Sequence, residues 1–450
     1  MQRRTFLAAT GSAALASSAT ARKPNIVLIL LDDAGYADLG CYGQKKILTP
    51  NIDRLASEGV RFTDCYAGGA VCAPSRSVLM TGLHTGHTPV RANAATVPLL
   101  PSDITVAEVL KKAGYATGAF GKWGLGDADT SGAATRKGFD EFFGYLHQTH
   151  AHDYFPEYLR DGEKKFPLQG NEHRGRKQYS ADLIHSRALQ FIRSSKDRPF
   201  FLYSCTTLPH GRFEPPGDEP YTDRDWPQPE KNYAAMLTRA DRQVGQILKL
   251  LKELNLEKDT VVFLASDNGG TGGEGRDVRF FQSTGVFRAQ KGTVYEGGIR
   301  VPMIVRWPGR VKAGTVNSSP WAFCDVLPTL AAIAGVQAPA PSDGMSVLPT
   351  ILGESQQRSK GLYWEQHRYN RKAQRLEGLM QAARLGDWKG VRQAPGAPLE
   401  IYNLKTDAGE ATDLSGKRPD LREKFEAFLM AEHSEPRLHN NGNWEYANEA

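Results

Sequence analysis

The chain has 450 residues, 40% of them hydrophobic and 24% charged, a balance that supports a large buried core and excludes fibrous and disordered classes. Its 56 Lys+Arg against 50 Asp+Glu leave a formal charge of +6, spread along the chain rather than gathered in a basic tract, so no nucleic-acid partner is implied. The five cysteines, Cys41, Cys65, Cys72, Cys205 and Cys324, are odd in number and form no C-x-x-C pair, which argues against a zinc cage or a disulfide framework.

In chain order, residues 1–21 read as an export signal, with a charged start, a short middle rich in small and apolar residues, and an Ala19-Thr20-Ala21 ending. Arg3-Arg4 before Thr5-Phe6-Leu7 resembles the twin-arginine pattern. The apolar middle is too short for the roughly 20 residues of a membrane span, and no later segment qualifies. The expected location is periplasmic or secreted, in a bacterium, with the mature chain starting near Arg22.

Asn25 to Leu31 is a continuous apolar run, the pattern of a strand buried on both faces, and it ends at Asp32-Asp33. Thr49-Pro50 then caps a helix from Asn51 to Ser57, stopped by Gly59. The alternation continues with a helix at Val106 to Lys112, a strand at Ala116 to Phe120, a helix at Ala181 to Ile192 and a strand at Phe200 to Tyr203. A long amphipathic helix from Tyr233 to Leu254 leads into a strand from Thr260 to Ala265, which is followed by Asp267. This βα repetition predicts an α/β fold, a large mostly parallel sheet sandwiched by helices. After the Pro- and Ala-rich stretch Gln337 to Pro341 the pattern weakens. Shorter strands from about Gly361 and a helix from Arg422 to Glu432 predict a smaller C-terminal α+β subdomain. The expected division is therefore a catalytic domain at 22–360 and a subdomain at 361–450.

Ligands bind at strand ends in open α/β sheets, so Asp32, Asp33 and Asp267, behind two buried strands, are candidates for one site. Together with Asn268 they offer oxygen ligands only, the preference of hard Ca²⁺, with Mg²⁺ as the alternative. The competing reading is that these residues cap ordinary turns. Cys72, followed by Ala73-Pro74-Ser75-Arg76, falls at a predicted helix N-terminus, where backbone N–H groups and Arg76 favour an anion. A small buried cysteine opening a helix is the plainer alternative.

The run Cys72-x-Pro74-Ser75-Arg76 continuing to Thr81-Gly82 resembles the sulfatase motif in which cysteine is oxidised to formylglycine. Its companions follow in the family's order: Asp32-Asp33-x-Gly35, Thr49-Pro50-Asn51-Ile52-Asp53, Gly121-Lys122-Trp123, Pro209-His210, Ser266-Asp267-Asn268-Gly269 and Lys291-Gly292. The resemblance implies an alkaline-phosphatase-like fold and Ca²⁺ held by Asp32, Asp33, Asp267, Asn268 and an oxygen of modified residue 72. It also implies transient contact with a formylglycine-generating enzyme. By the same resemblance Arg76 orients the formylglycine, Lys122 and Lys291 hold sulfate oxygens, and His210 contacts or protonates the leaving group. The hydrated aldehyde has two hydroxyls, one to attack sulfur and one whose proton loss expels sulfate. One departure stands out. The family usually has histidine where this chain has Gly124. The histidine-rich segment Gly144 to Tyr154 suggests His152 as the substitute, ahead of His150 and His147.

The expected activity is hydrolysis of a sulfate ester, with a sulfated carbohydrate as the favoured substrate. Phosphomonoester or phosphonate hydrolysis on the same fold is the first alternative, and a non-catalytic sulfated-glycan binder, suggested only by Gly124, is the second. The loops Asp153 to Tyr179 and Gly211 to Asp225, with nearby Tyr154, Phe155 and Trp226, are expected to read the rest of the substrate.

Overall fold

The computed structural model describes residues 22–93, 97–370, 372–373 and 375–436. The export signal expected at 1–21 lies outside the described residues. The first half of the fold runs β1 (Asn25–Leu31), α1 (Pro50–Ser57), β2 (Val60–Phe62), β3 (Cys65–Tyr66), α2 (Cys72–Thr81) and α3 (Val106–Lys112). It continues with β4 (Ala116–Lys122), β5 (Glu141–Tyr145), β6 (Tyr158–Asp161), β7 (Lys164–Pro167), α4 (Ser180–Ser194) and β8 (Phe200–Cys205). Next come α5 (Gln228–Glu253), β9 (Thr260–Ser266), α6 (Glu296–Ile299), β10 (Met303–Arg306), β11 (Thr315–Asn317), β12 (Trp321–Ala322), α7 (Val326–Ile333) and α8 (Leu348–Ile351). The chain closes with β13 (Leu362–Asn370), β14 (Arg375–Leu385), β15 (Trp388–Arg392), β16 (Leu399–Asn403) and α9 (Pro419–Ala431).

β1 shows why the fold has two layers of helix. Successive side chains of a strand point to opposite faces. Ile26, Leu28 and Leu30 enter one core with residues of α2, α3 and α7, while Val27, Ile29 and Leu31 enter another with residues of α1, α4 and α5. A strand apolar at every position is thus buried on both sides, as its sequence predicts. The ten-stranded sheet has the order β11-β2-β10-β9-β1-β8-β4-β5-β6-β7. Its centre is parallel, with β1 pairing β8 and β9 and β4 pairing β8 and β5. The flanks add antiparallel pairings, β10 with β9 and β2 on one side and β5-β6-β7 on the other. The sheet is therefore mixed but mostly parallel where it carries the site.

From Leu362 a four-stranded antiparallel sheet, β13-β14-β15-β16, packs α9 through Tyr363, Ala383, Leu399, Ile401, Phe425 and Leu429. It is fastened to α6 and to the β2–β3 turn by buried charge. Lys389 sits 2.8 Å from both Glu296 and Glu410, and Arg384 lies 2.7 Å from Asp64. Among the described residues no helix is long and apolar enough to cross a membrane.

Candidate active site

The strands deliver the acidic residues. β1 and β9 lie in parallel register with Leu31 opposite Ser266, so Asp32 and Asp267, the next residue on each, emerge side by side. Both are fully buried, as is Asp33 but for 1%. Asp33 has φ 66°, a left-handed conformation that aspartate tolerates better than most residues, and its N–H donates to Asp267 Oδ1 at 3.2 Å. Asn268 donates from Nδ2 to Asp33 Oδ1 at 2.7 Å, while its own Oδ1 is buried without a partner.

α2 delivers Cys72 in its first turn, and every residue of that helix is buried. The thiol lies 3.4 Å from Asp32 Oδ1 and 3.9 Å from Asp33 Oδ1. Burial and then the charge of Asp32 push it up to about 12. Arg76, one turn further along, is taken up by the carboxylates. Its Nε and Nη2 donate to Asp267 Oδ2 at 3.0 and 2.8 Å, and Nη1 donates to the Lys122 carbonyl at 2.6 Å.

β4 ends in Lys122, whose ammonium is buried 2.7 Å from Asp32 Oδ2. Lys291 donates to Asp33 at 2.6 Å and reaches Cys72 Sγ at 3.5 Å and His210 Nε2 at 3.4 Å. Three carboxylates therefore face three cations in one largely buried site. Burial raises Asp32 and Asp33, but Lys122 on the first and Lys291 on the second lead the cations that hold them below the ordinary carboxylate range. Burial, with Asp32 as neighbour, wins at Asp267 and raises it to about 7.

His210 follows β8, with Nδ1 against the Gly211 carbonyl and Nε2 3.4 Å from Asp33. His152 stacks on it with ring centroids 4.2 Å apart, and its Nε2 is buried without a partner. Burial holds both rings neutral, His210 at about 4 and His152 at about 3. The other two histidines of the segment stand elsewhere. His150 packs on Tyr145 and Tyr158, and His147 accepts from Thr149 N–H in its own turn. Ligand atoms of Asp32, Asp33, Cys72 and His210 all lie within 4.8 Å of one another.

Other singled-out residues prove structural. Asn51 and Ile52 donate to Asp241, which ties α1 to α5. Tyr154, expected to read substrate, is fully buried and donates to the Thr207 and His210 carbonyls, which braces the His210 loop. Trp226 stacks on Tyr221 and packs against Phe281, and Phe155 is 8% exposed. Periodicity marks such residues as aromatic but carries no signal of burial. One residue was not singled out from sequence. Gln148 is 8% exposed, and both ends of its amide are buried without a partner, at about 1–3 kcal/mol for each orphaned group. A Cβ on Gly124, itself at φ 77°, would overlap Gln148 Oε1.

Known proteins resemble this chain in sequence and fold. The Sulfatase family profile matches residues 24–336, and the profile of the N-sulphoglucosamine sulphohydrolase C-terminal region matches 285–430. Human arylsulfatase A is 34% identical over 89% of this chain and 85% of its own length. Human N-acetylgalactosamine-6-sulfatase is 33% identical over 75% of this chain and 67% of its own. The solved structure of Ps i-CgsB in complex with k-i-k-neocarrahexaose superimposes with a TM-score of 0.81 at 29% identity, covering 94% of this chain and 95% of the other. The chain belongs to the sulfatase family and is an enzyme that hydrolyses sulfate esters.

Proposed function

We propose that the chain removes sulfate from a sulfated carbohydrate, with Cys72 converted to formylglycine by a formylglycine-generating enzyme and with Ca²⁺ held by Asp32, Asp33, Asp267, Asn268 and residue 72. The carrying observation is the position of Cys72, in the first turn of α2 within 3.5 Å of both Asp32 and Lys291. The donor set suits a hard cation: three crowded carboxylates, one of them raised to about 7, and a buried Asn268 oxygen with no partner. When bound, that cation supplies Lewis-acid stabilisation of negative oxygen. The hydrated aldehyde supplies the two hydroxyls, one for attack on sulfur and one for release of sulfate.

The remaining work falls to side chains. Lys122 and Lys291 hold the sulfate oxygens and offset charge as it develops. His210 donates from Nδ1 to the Gly211 carbonyl, so its Nε2 carries a lone pair that positions the Lys291 ammonium 3.4 Å away, and Lys291 supplies the proton or positive charge to the leaving oxygen. His152, whose buried Nε2 has no partner among the described residues, takes the proton released when sulfate is expelled, the negative charge of the sulfate raising its basicity from the depressed value of about 3. The carbohydrate assignment is supported by the names of relatives, an N-acetylgalactosamine-6-sulfatase and a protein crystallised with a neocarrahexaose. Residues 1–21 direct export, residues 22–360 form the catalytic domain and residues 361–450 the C-terminal subdomain.

The test is a mass spectrum of the tryptic peptide containing residue 72, paired with turnover of an aryl sulfate and a screen of sulfated oligosaccharides. Formylglycine in active preparations is expected; full activity from unmodified cysteine overturns the assignment.

A further inference from the structure

Against Gly124, two residues after Lys122, lies an amide without a hydrogen-bond partner among the described residues. β4 and the turn after β5 run together past the site, with Trp123 N–H donating to Tyr145 O at 2.9 Å and Gly124 N–H to Leu146 O at 3.1 Å. Two residues beyond Leu146, Gln148 folds its carboxamide into the space that any side chain at position 124 would occupy. The same turn carries His152 onto His210, so Gln148 belongs to the segment that closes this side of the site. More than nine-tenths of Gln148 is buried, and neither Nε2 nor Oε1 has a partner among the described residues. A fully orphaned amide is a poor choice for packing alone, because an apolar side chain of the same shape would fill the space without the desolvation cost.

We propose that Gln148 is a substrate-contacting residue whose Nε2–H donates to a sulfate oxygen beside Lys122, from the space vacated at Gly124. The inference rests on the site assignment above and sharpens it. An amide donates a hydrogen bond but takes no proton at neutral pH, so a position that histidine could use for both tasks here serves for binding alone. Proton removal is left to His152. Gly124 is then required at its position, since a larger residue there would expel the amide.

The experiment compares wild type, Gln148→Leu and Gln148→Glu, measuring aryl sulfate kinetics, binding of inorganic sulfate by calorimetry, and Tm. Gln148→Leu is expected to keep or raise Tm while weakening sulfate binding and kcat/KM by about ten- to a hundredfold, the worth of a hydrogen bond to a charged group. Gln148→Glu, of nearly the same shape, places negative charge against sulfate and is expected to lose at least as much. Sulfate affinity and kcat/KM within about twofold of wild type in whichever variant folds would overturn the proposal and leave Gln148 as wall packing. If wild type itself fails to turn over an aryl sulfate, the site assignment fails; sulfate binding that still depends on Gln148 would leave this inference standing.

Discussion

Replacing Lys122 with methionine separates the two tasks proposed for this residue, neutralising Asp32 and holding sulfate. The substitution keeps most of the apolar stem and removes the ammonium, which lies 2.7 Å from Asp32 Oδ2 with both side chains fully buried. At an effective dielectric constant of about 20, that contact carries a gross attraction of about 6 kcal/mol, and the Arg76 Nη2 contact with the same carboxylate at 3.5 Å carries about 5 kcal/mol. Asp32 thus keeps one cation when Lys122 is lost. The stability loss should fall at the low end of the range for breaking a buried pair, about 3 kcal/mol. The kinetic loss should be larger, because Lys291 alone would then hold the sulfate oxygens, and removal of one preorganised donor costs about 10²–10³ in kcat. Denaturant titration and aryl sulfate kinetics on the same preparation check both numbers. If kcat/KM stays within about threefold while stability falls by the expected amount, Lys122 only neutralises Asp32 and the catalytic assignment is wrong.

Four further outcomes are expected. His152→Ala should lower kcat by about 10²–10⁴ with a smaller change in KM; an unchanged kcat and pH profile would remove its role as base. Lys389→Met strips the ammonium shared by Glu296 and Glu410, which sit at about 2 and about 6, and should cost about 3–5 kcal/mol. A loss below about 1 kcal/mol in denaturant unfolding would show that Arg300, 2.8 Å from Glu296, suffices. Exhaustive chelation should lower both turnover and Tm, with Ca²⁺ restoring each, and activity untouched by chelator would remove the cation from the site. Finally, the hydrogen bond to Asp343 raises His87, while Asp343, raised by burial, is held low overall by His87 and His84. Their contribution is whole between about pH 3.9 and about pH 6.5. It fades as pH rises through the folded value of His87 or falls through that of Asp343. Asp343→Asn should therefore destabilise by a few tenths to about 1 kcal/mol near pH 5.5 and by less near pH 9; equal losses at both would refute the pairing.

The parts of the site legible in sequence are those fixed by strand ends. An all-apolar run such as Ile26–Leu31 reads as a strand buried on both faces, and the residue after it emerges at the sheet's carboxyl edge, which places Asp32 and Asp267 together. The long helix α5 was readable from periodicity alone, although it begins at Gln228, five residues before its apolar pattern. Elements that rely on partners were not. The hairpin β6-β7 carries no strand signal in the sequence, because Lys164 to Pro167 is exposed throughout and its edge strand shows no hydrophobic alternation. β10 is four residues long and owes its antiparallel direction to β9 and β2. Gln148 had no local signal at all. Its only trace was the missing side chain at Gly124, and a vacancy does not say what fills it.

The buried charges explain why the site needs more than these side chains to bind an anion. Asp32, Asp33 and Asp267 already engage Arg76, Lys122 and Lys291 pairwise, so a sulfate ester, which brings negative charge of its own, meets lysines whose attraction is already committed. Either a carboxylate must take a proton or a cation must join the carboxylates and free the lysines to turn towards sulfate. Asp267, raised to about 7 by burial and by Asp32, is the residue on which that choice falls. Protonating it would weaken the fork from Arg76 and loosen the wall that holds residue 72. A hard cation among Asp32, Asp33, Asp267 and the unpartnered Asn268 oxygen would relieve the repulsion while keeping the fork. The crowding of carboxylates is thus unfavourable by itself and turns favourable when cation and anion bind together, so metal affinity and sulfate affinity should rise and fall as one.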